Sequence, residues 1–110
     1  MADLELLQGT LDVLVLKTLT WGPLHGYAVA RWIKETSDGA LAVEDRALYV
    51  SLHRLEERGL IAAEWGLSEN NRKAKYYQLT AAGRRALRSK AADFTDYVAA
   101  VFKILRAAEA

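Results

Sequence analysis

The last third of the chain carries an apolar seam. Leu87, Ala91, Phe94, Val98, Val101 and Leu105 follow one another at spacings of four, three, four, three and four. That repeat holds one line of side chains on the same side of a helix for more than two heptads. Tyr97, Phe102 and Ile104 widen it beyond what a solvent-facing helix needs. A helix this apolar does not stand alone on a surface, so the seam predicts a two-fold symmetric homodimer. Its interface is expected at Leu87, Phe94, Tyr97, Val98, Val101, Phe102 and Leu105. Thr80 supplies the N-cap for this helix, which is expected to run nearly to the end of the chain.

Upstream, the apolar pattern breaks into shorter pieces. Between Leu4 and Thr20, residues Leu7, Leu11, Leu14, Val15 and Leu19 recur at helical spacing, giving a first helix with a wide apolar face. Gly22-Pro23 stops it, because proline lacks a backbone donor and restricts the residue before it. His25 to Thr36 carries Tyr27, Ala30, Ile33 and Lys34 at helical spacing, and Ser37-Asp38-Gly39 ends that second helix. A third helix starts at Glu44 or Asp45, buries Leu48, Leu52 and Leu55, and closes at Gly59. Leu60 to Trp65 reads as a strand with Ile61, Ala63 and Trp65 on one face. Gly66 to Ala74 reads as a polar connector, and Tyr76 to Leu79 as a second strand, which together make a β-hairpin.

At 110 residues the chain is one compact unit. The element order is that of a winged helix–turn–helix, mainly α with a small β-hairpin: residues 1–79 form the winged unit and 80–110 a C-terminal dimerisation helix. Composition removes several function classes. There are no cysteines, hence no disulfides or thiolate metal sites, which fits a cytoplasmic protein. Two histidines far apart do not suggest a metal cage. The stretch Leu11 to Leu19 is interrupted by Asp12 and Lys17, so no membrane span is expected. No Ser-His-Asp set, phosphate loop or paired catalytic carboxylates appear at suggestive spacing, so neither an enzyme nor a cofactor is expected. Net charge is only +1, but it is unevenly distributed. Arg72, Lys73, Lys75, Arg84, Arg85, Arg88 and Lys90 follow one another with no acidic residue between them, which suits contact with a polyanion.

Several ordered segments carry a more specific likeness. They are Leu7-Gln8-Gly9-Thr10-Leu11-Asp12; Gly22-Pro23-Leu24-His25-Gly26-Tyr27; Leu48-Tyr49 with Leu52-His53-Arg54-Leu55-Glu56; Gly59-Leu60-Ile61; and Glu69-Asn70-Asn71-Arg72 through Tyr76-Tyr77-Gln78-Leu79-Thr80. Together they resemble the PadR family of bacterial transcriptional regulators, from about Leu6 to Arg85. The resemblance implies a homodimer built through the last helix and repression of nearby genes. The short tail looks like the subgroup with a single C-terminal helix, some of whose members respond to drugs or other small aromatics. At the start of the third helix, however, the family usually has glycine, serine or threonine, leucine, tyrosine, proline. Here the residues are Arg46-Ala47-Leu48-Tyr49-Val50. Ala47 lacks the hydroxyl, Val50 replaces the proline, and Arg46 adds a guanidinium fork.

With Leu48, Leu52 and Leu55 inward, Arg46, Val50, His53 and Glu57 form the opposite stripe of the third helix, flanked by Tyr49 and Arg54. The expected partner is double-stranded operator DNA, whose major groove admits one α-helix. Arg46 suits guanine or a phosphate, and Val50 a thymine methyl. His53, Tyr49 and Arg54 are assigned to DNA as well, and Ala47 lies among them. Asn70, Asn71, Arg72 and Lys73 at the hairpin tip suit the backbone or minor groove. His25, Gly26 and Tyr27 open the second helix, where free N–H groups can hold a phosphate. Trp21, Trp32 and Trp65 are read as core packing. Phe94 and Tyr97 are the exception: the resemblance places a small aromatic effector at their helix. A winged-helix interaction module that has lost DNA binding is the alternative, and the changes at Arg46, Ala47 and Val50 are what it would show.

Overall fold

The computed structural model describes residues 9–109. Helix α1 spans Thr10–Thr18 and tightens into a 3₁₀ turn over Leu19–Trp21 before Gly22 and Pro23 end it. The expected start at Leu4, and Leu7 with it, lie outside the described residues. Strand β1 follows at Leu24–His25, then α2 at Gly26–Thr36, α3 at Asp45–Glu57, β2 at Ile61–Leu67, β3 at Lys73–Leu79 and α4 at Ala81–Leu105.

Helix α3 ends as its sequence requires. Gly59 adopts a left-handed φ of 72°, its N–H bonds to the Glu56 carbonyl, and the Leu60 N–H reaches back to Leu55. That pair of bonds is the Schellman closure, which satisfies carbonyls the helix leaves open. It also turns the chain straight into β2. At the other end of the hairpin, Thr80 is the cap of α4. Its Oγ1 accepts from the Gly83 N–H at 3.0 Å and donates to the Gly59 carbonyl at 2.7 Å. The ends of α3 and α4 are thus fastened together by one side chain.

The sheet has three strands rather than two, in the order β1-β3-β2, all antiparallel. Two residues of β1, Leu24 and His25, pair with Tyr77 and Tyr76. So short a strand leaves no alternation to read; it exists because β3 offers it an edge. The hairpin is also longer than expected. Gly66-Leu67 and Lys73-Ala74, read as connector, are paired strand, and only 68–72 forms the turn.

The core joins Val15, Leu16 and Leu19 of α1 and its 3₁₀ turn to Val29 and Ile33 of α2, Leu48, Leu52 and Leu55 of α3, and Ile61 and Tyr77 of the sheet. The inward face of α2 is Ala28, Val29 and Ile33, while Tyr27 is 69% exposed. The Tyr27–Ala30–Ile33–Lys34 stripe is therefore rotated from the true one. Of the three tryptophans, Trp32 packs on the core. Trp21 and Trp65 do not: they are 73% and 61% exposed. Trp21 follows the last core residue of α1 and leans on Trp32, ring centroids 6.5 Å apart. Trp65 alternates in step with Ile61 and Ala63, but β2 has by then run past the edge of the core.

One seam residue is also placed differently. Leu87, expected at the dimer interface, packs with Ala86 against the core of its own chain. Phe94, Tyr97, Phe102 and Leu105 remain exposed, and Val98 and Val101 are half-buried.

Candidate nucleic-acid interface

Helix α3 presents the two faces its spacing predicts. Leu48, Leu52 and Leu55 are buried, and Arg46, Ala47, Tyr49, Val50 and His53 are exposed. His53 Nε2 lies 3.3 Å from Glu57 Oε1, one turn further on. The outer stripe therefore carries Arg46 at its N-terminal end, beside Asp45 and away from the carboxylates at 56 and 57.

Beside this face is a cleft of about 460 Å³ between the start of α2, the start of α3 and the hairpin. His25, Gly26 and Tyr27 form one wall, Tyr49 another, and Trp65, Lys73 and Lys75 the third. Three segments distant in sequence are brought together here. Gly26 packs beneath Tyr49 and Leu52, where a Cβ would sit in ordinary contact with both side chains at 3.5 Å. The His25 Nδ1 accepts from the Ala28 N–H at 3.2 Å, so His25 is the cap of α2 and satisfies one of the donors expected to face a phosphate.

The hairpin supplies the charge. Lys73 Nζ stands 5.0 Å above the Trp65 ring, and Lys75 Nζ 5.6 Å from that of Tyr77. Lys75 is also tied to Glu56 at 3.2 Å. Lys73 has no carboxylate partner among the described residues, which leaves it the cleft's uncompensated cation. Asn70, Asn71 and Arg72 form the exposed tip beyond the cleft. Asn71 takes the left-handed φ of 59° that the turn requires, so part of its role is structural.

Arg54 departs from expectation. Its Nε donates to Asp12 Oδ2 at 3.0 Å and its Nη2 to Asp12 Oδ1 at 2.6 Å. Ser51 Oγ, fully buried, donates to the same Oδ1 at 2.6 Å. Arg54 is thus engaged by Asp12 of α1, with its side chain still 39% exposed. The Asp12 partner lies 42 residues away, so the periodicity of α3 alone could not reveal it. Burial pushes the Asp12 carboxyl up, but the hydrogen bonds from Arg54 and Ser51 outweigh it and hold the group below its ordinary value. Trp65 and Tyr77 are aromatic cleft residues that sequence reading did not assign to this site. The signal for them is the register that sets Trp65 opposite Lys75.

A second concavity, an open groove of about 520 Å³, lies between the start of α1 and the middle of α4. Phe94 and Tyr97 line it with Thr10, Val13, Lys90 and Asp93. The two aromatics singled out in the sequence thus line one groove, which α1 completes within a single chain.

Comparison with known proteins agrees with this architecture. A family model described as the transcriptional regulator PadR-like family matches residues 15–89. A PadR family transcriptional regulator from Eggerthella lenta is 35% identical, over 92% of this chain and 86% of that one, with a TM-score of 0.76. A transcriptional regulator from Clostridium thermocellum shares the fold at a TM-score of 0.81 and 24% identity, over 90% of this chain and 93% of that one. An uncharacterized protein from Lysinibacillus sphaericus is 26% identical over 83 residues, 76% of each chain. The match runs from the core of α1 through the hairpin into the start of α4, the span that contains α3 and builds the cleft. This chain belongs to the PadR-like family of transcriptional regulators.

Proposed function

We propose that this regulator is a cytoplasmic homodimeric repressor that reads operator DNA with α3, grips the backbone with its wing, and is released by a small aromatic ligand. In this reading residues 1–79 make the DNA-binding unit and 80–110 the dimerisation helix, whose first turns also close the core. One observation carries the DNA reading: a helix whose inner face is wholly core sets Arg46, Val50 and His53 outward, beside a cleft whose unpaired cation is Lys73. The exposed apolar residues of α4 support the dimer. The groove holding Phe94 and Tyr97 supports the ligand.

Selection of randomised duplexes tests the reading. A bidentate contact from Arg46 to guanine is worth about 1–3 kcal/mol of discrimination. Arg46→Ala then relaxes one base pair in each half-site, and Arg46→Lys restores only part, because it has the charge without the fork. If Arg46 grips a phosphate instead, Arg46→Ala weakens all sequences alike. Failure of the unmodified protein to enrich any palindrome at low salt would leave the interaction module as the better account.

A further inference from the structure

We propose that Asp12 is a positioning residue for DNA recognition: with Ser51 and Arg54 it fixes the rotation of α3 on α1, and so aims Arg46, Val50 and His53. The inference rests on the reading of α3 as the helix that enters the groove.

The core face of α3 is aliphatic, made of Leu48, Leu52 and Leu55. Burial of such a face is non-directional and permits some roll and slide of the helix. Hydrogen bonds to a carboxylate are directional, and a bidentate guanidinium pair more so. Asp12 receives three of them, at 2.6, 2.6 and 3.0 Å, from two residues three apart on α3. Asp12 is only 5% exposed and Ser51 fully buried, so the carboxylate end of these bonds is shielded from water, while the Arg54 side chain stays 39% exposed. The geometry at the far side of the helix depends on this lock. A roll of about 20° moves a side-chain tip roughly 6 Å from the helix axis by about 2 Å. A base contact with a reach near 3 Å does not survive that displacement. Stability alone does not account for the arrangement, since an ion pair that desolvates its carboxylate is often no better than apolar residues of equal volume. Fixing register is its best-attested use.

The test compares Asp12→Asn, Arg54→Gln, Arg54→Lys and the Asp12→Asn/Arg54→Gln double variant with the unmodified dimer. Affinity is measured for a selected operator and for an unrelated duplex across a range of salt. We expect Arg54→Gln to lose at least tenfold in the ratio of operator to unrelated affinity, with the salt slope on unrelated DNA unchanged. Arg54→Lys recovers part of that ratio. In the Asp12→Asn background the further effect of Arg54→Gln falls below twofold. Uniform weakening on both duplexes with a slope shallower by about one phosphate charge would instead make Arg54 a DNA contact and overturn the proposal. So would folded variants that melt earlier while keeping the full affinity ratio. If the single variants do not fold, Asp12→Leu/Arg54→Met removes both charges together. We expect that pair to fold with the ratio still reduced, and an unmodified ratio there overturns the proposal. An unmodified protein that prefers no operator overturns the parent reading and this one with it, an outcome visible before any variant is made.

Discussion

Replacing Gly83 with alanine sets two effects of opposite sign against each other. Gly83 lies in the first turn of α4, where alanine is favoured over glycine by up to about 1 kcal/mol on helix propensity. An added Cβ, however, would lie 1.9 Å from the Leu60 carbonyl oxygen, 3.0 Å from its carbon and 3.1 Å from Leu79 Cδ2. The first two are backbone atoms, so no rotamer relieves the clash. The Leu60 carbonyl is held in place by the Thr80 N–H at 3.2 Å, and Leu60 itself by the closure of α3. The first turn of α4 must therefore retreat. That weakens the Thr80–Leu60 bond, worth about 0.5–1.5 kcal/mol, strains the Thr80 cap, worth about 1 kcal/mol, and loosens Ala86 and Leu87 on the core. Overpacking of this kind costs about 1–3 kcal/mol. Set against the propensity gain, the net expectation is a loss of about 2–4 kcal/mol.

Thermal unfolding followed by circular dichroism reads this directly. In a domain of this size each kcal/mol lowers the midpoint by roughly 4–8 °C, so a fall of about 10 °C or more is expected. Protein concentration must be matched, because the midpoint of the proposed dimer depends on it. Ser89→Ala, at an exposed position further along α4, serves as the control and should stay within about 0.5 kcal/mol of the parent. A Gly83→Ala protein that melts at or above the parent temperature would refute the reasoning, for propensity would then outweigh the contact.

Val98→Glu together with Val101→Glu should give monomers or insoluble protein, and sedimentation showing the unmodified chain monomeric at micromolar concentration would sink the dimer. Arg72→Ala with Lys73→Ala should weaken binding to all duplexes and shallow the salt slope by roughly one phosphate charge per lost contact; an unaltered slope takes the wing off the DNA. Because the folded Asp12 carboxyl is held below its ordinary value, it stabilises the protein above the unfolded pKa of about 3.9. That contribution is lost as pH falls through the folded value, so urea midpoints should drop more steeply below about pH 4 for the parent than for Asp12→Asn. Parallel curves would contradict the assignment. Planar aromatic cations or phenols should bind by calorimetry at Phe94 and Tyr97 and weaken operator affinity, and a broad panel with no binder would count against the groove as a sensor.

What the sequence made legible was what local spacing controls. Leu48, Leu52 and Leu55 lie on one side of a helix wherever that helix forms, and Gly59 and Thr80 act on their own neighbours. The recurring miss was what depends on a partner far along the chain. β1 is two residues long and exists only beside Tyr76 and Tyr77. The side of α2 that turns inward is chosen by α1 and α3, so Ala28 and Val29 displace Tyr27. Trp65 has the right alternation but the wrong neighbour, because no core continues beneath the end of β2. Arg54 reads as an outward cation on α3 until α1 brings Asp12 to it.

The end of α4 connects these pieces to the size of an operator. From Arg84 to Leu105 the helix contains neither glycine nor proline, so it has no built-in hinge. Gly83 and Leu87 fix its base on the core that also carries α3, and the exposed seam begins two turns later. At 1.5 Å per residue its 25 residues extend about 37 Å. In the proposed dimer each α4 is thus a stiff arm between the partner's seam and its own recognition helix. A change of about 5° between arm and core, acting over roughly 30 Å, displaces α3 by about 2.6 Å, close to the 3.4 Å rise of one base pair. Two half-sites one helical turn apart tolerate little such error, because the second contact gains from the first only when both fit at once. Phe94 and Tyr97 face α1 across the groove where that angle is set. In that reading a ligand wedged there has leverage over operator fit without touching any residue assigned to DNA. It acts as an inducer only if it prefers the mismatched angle.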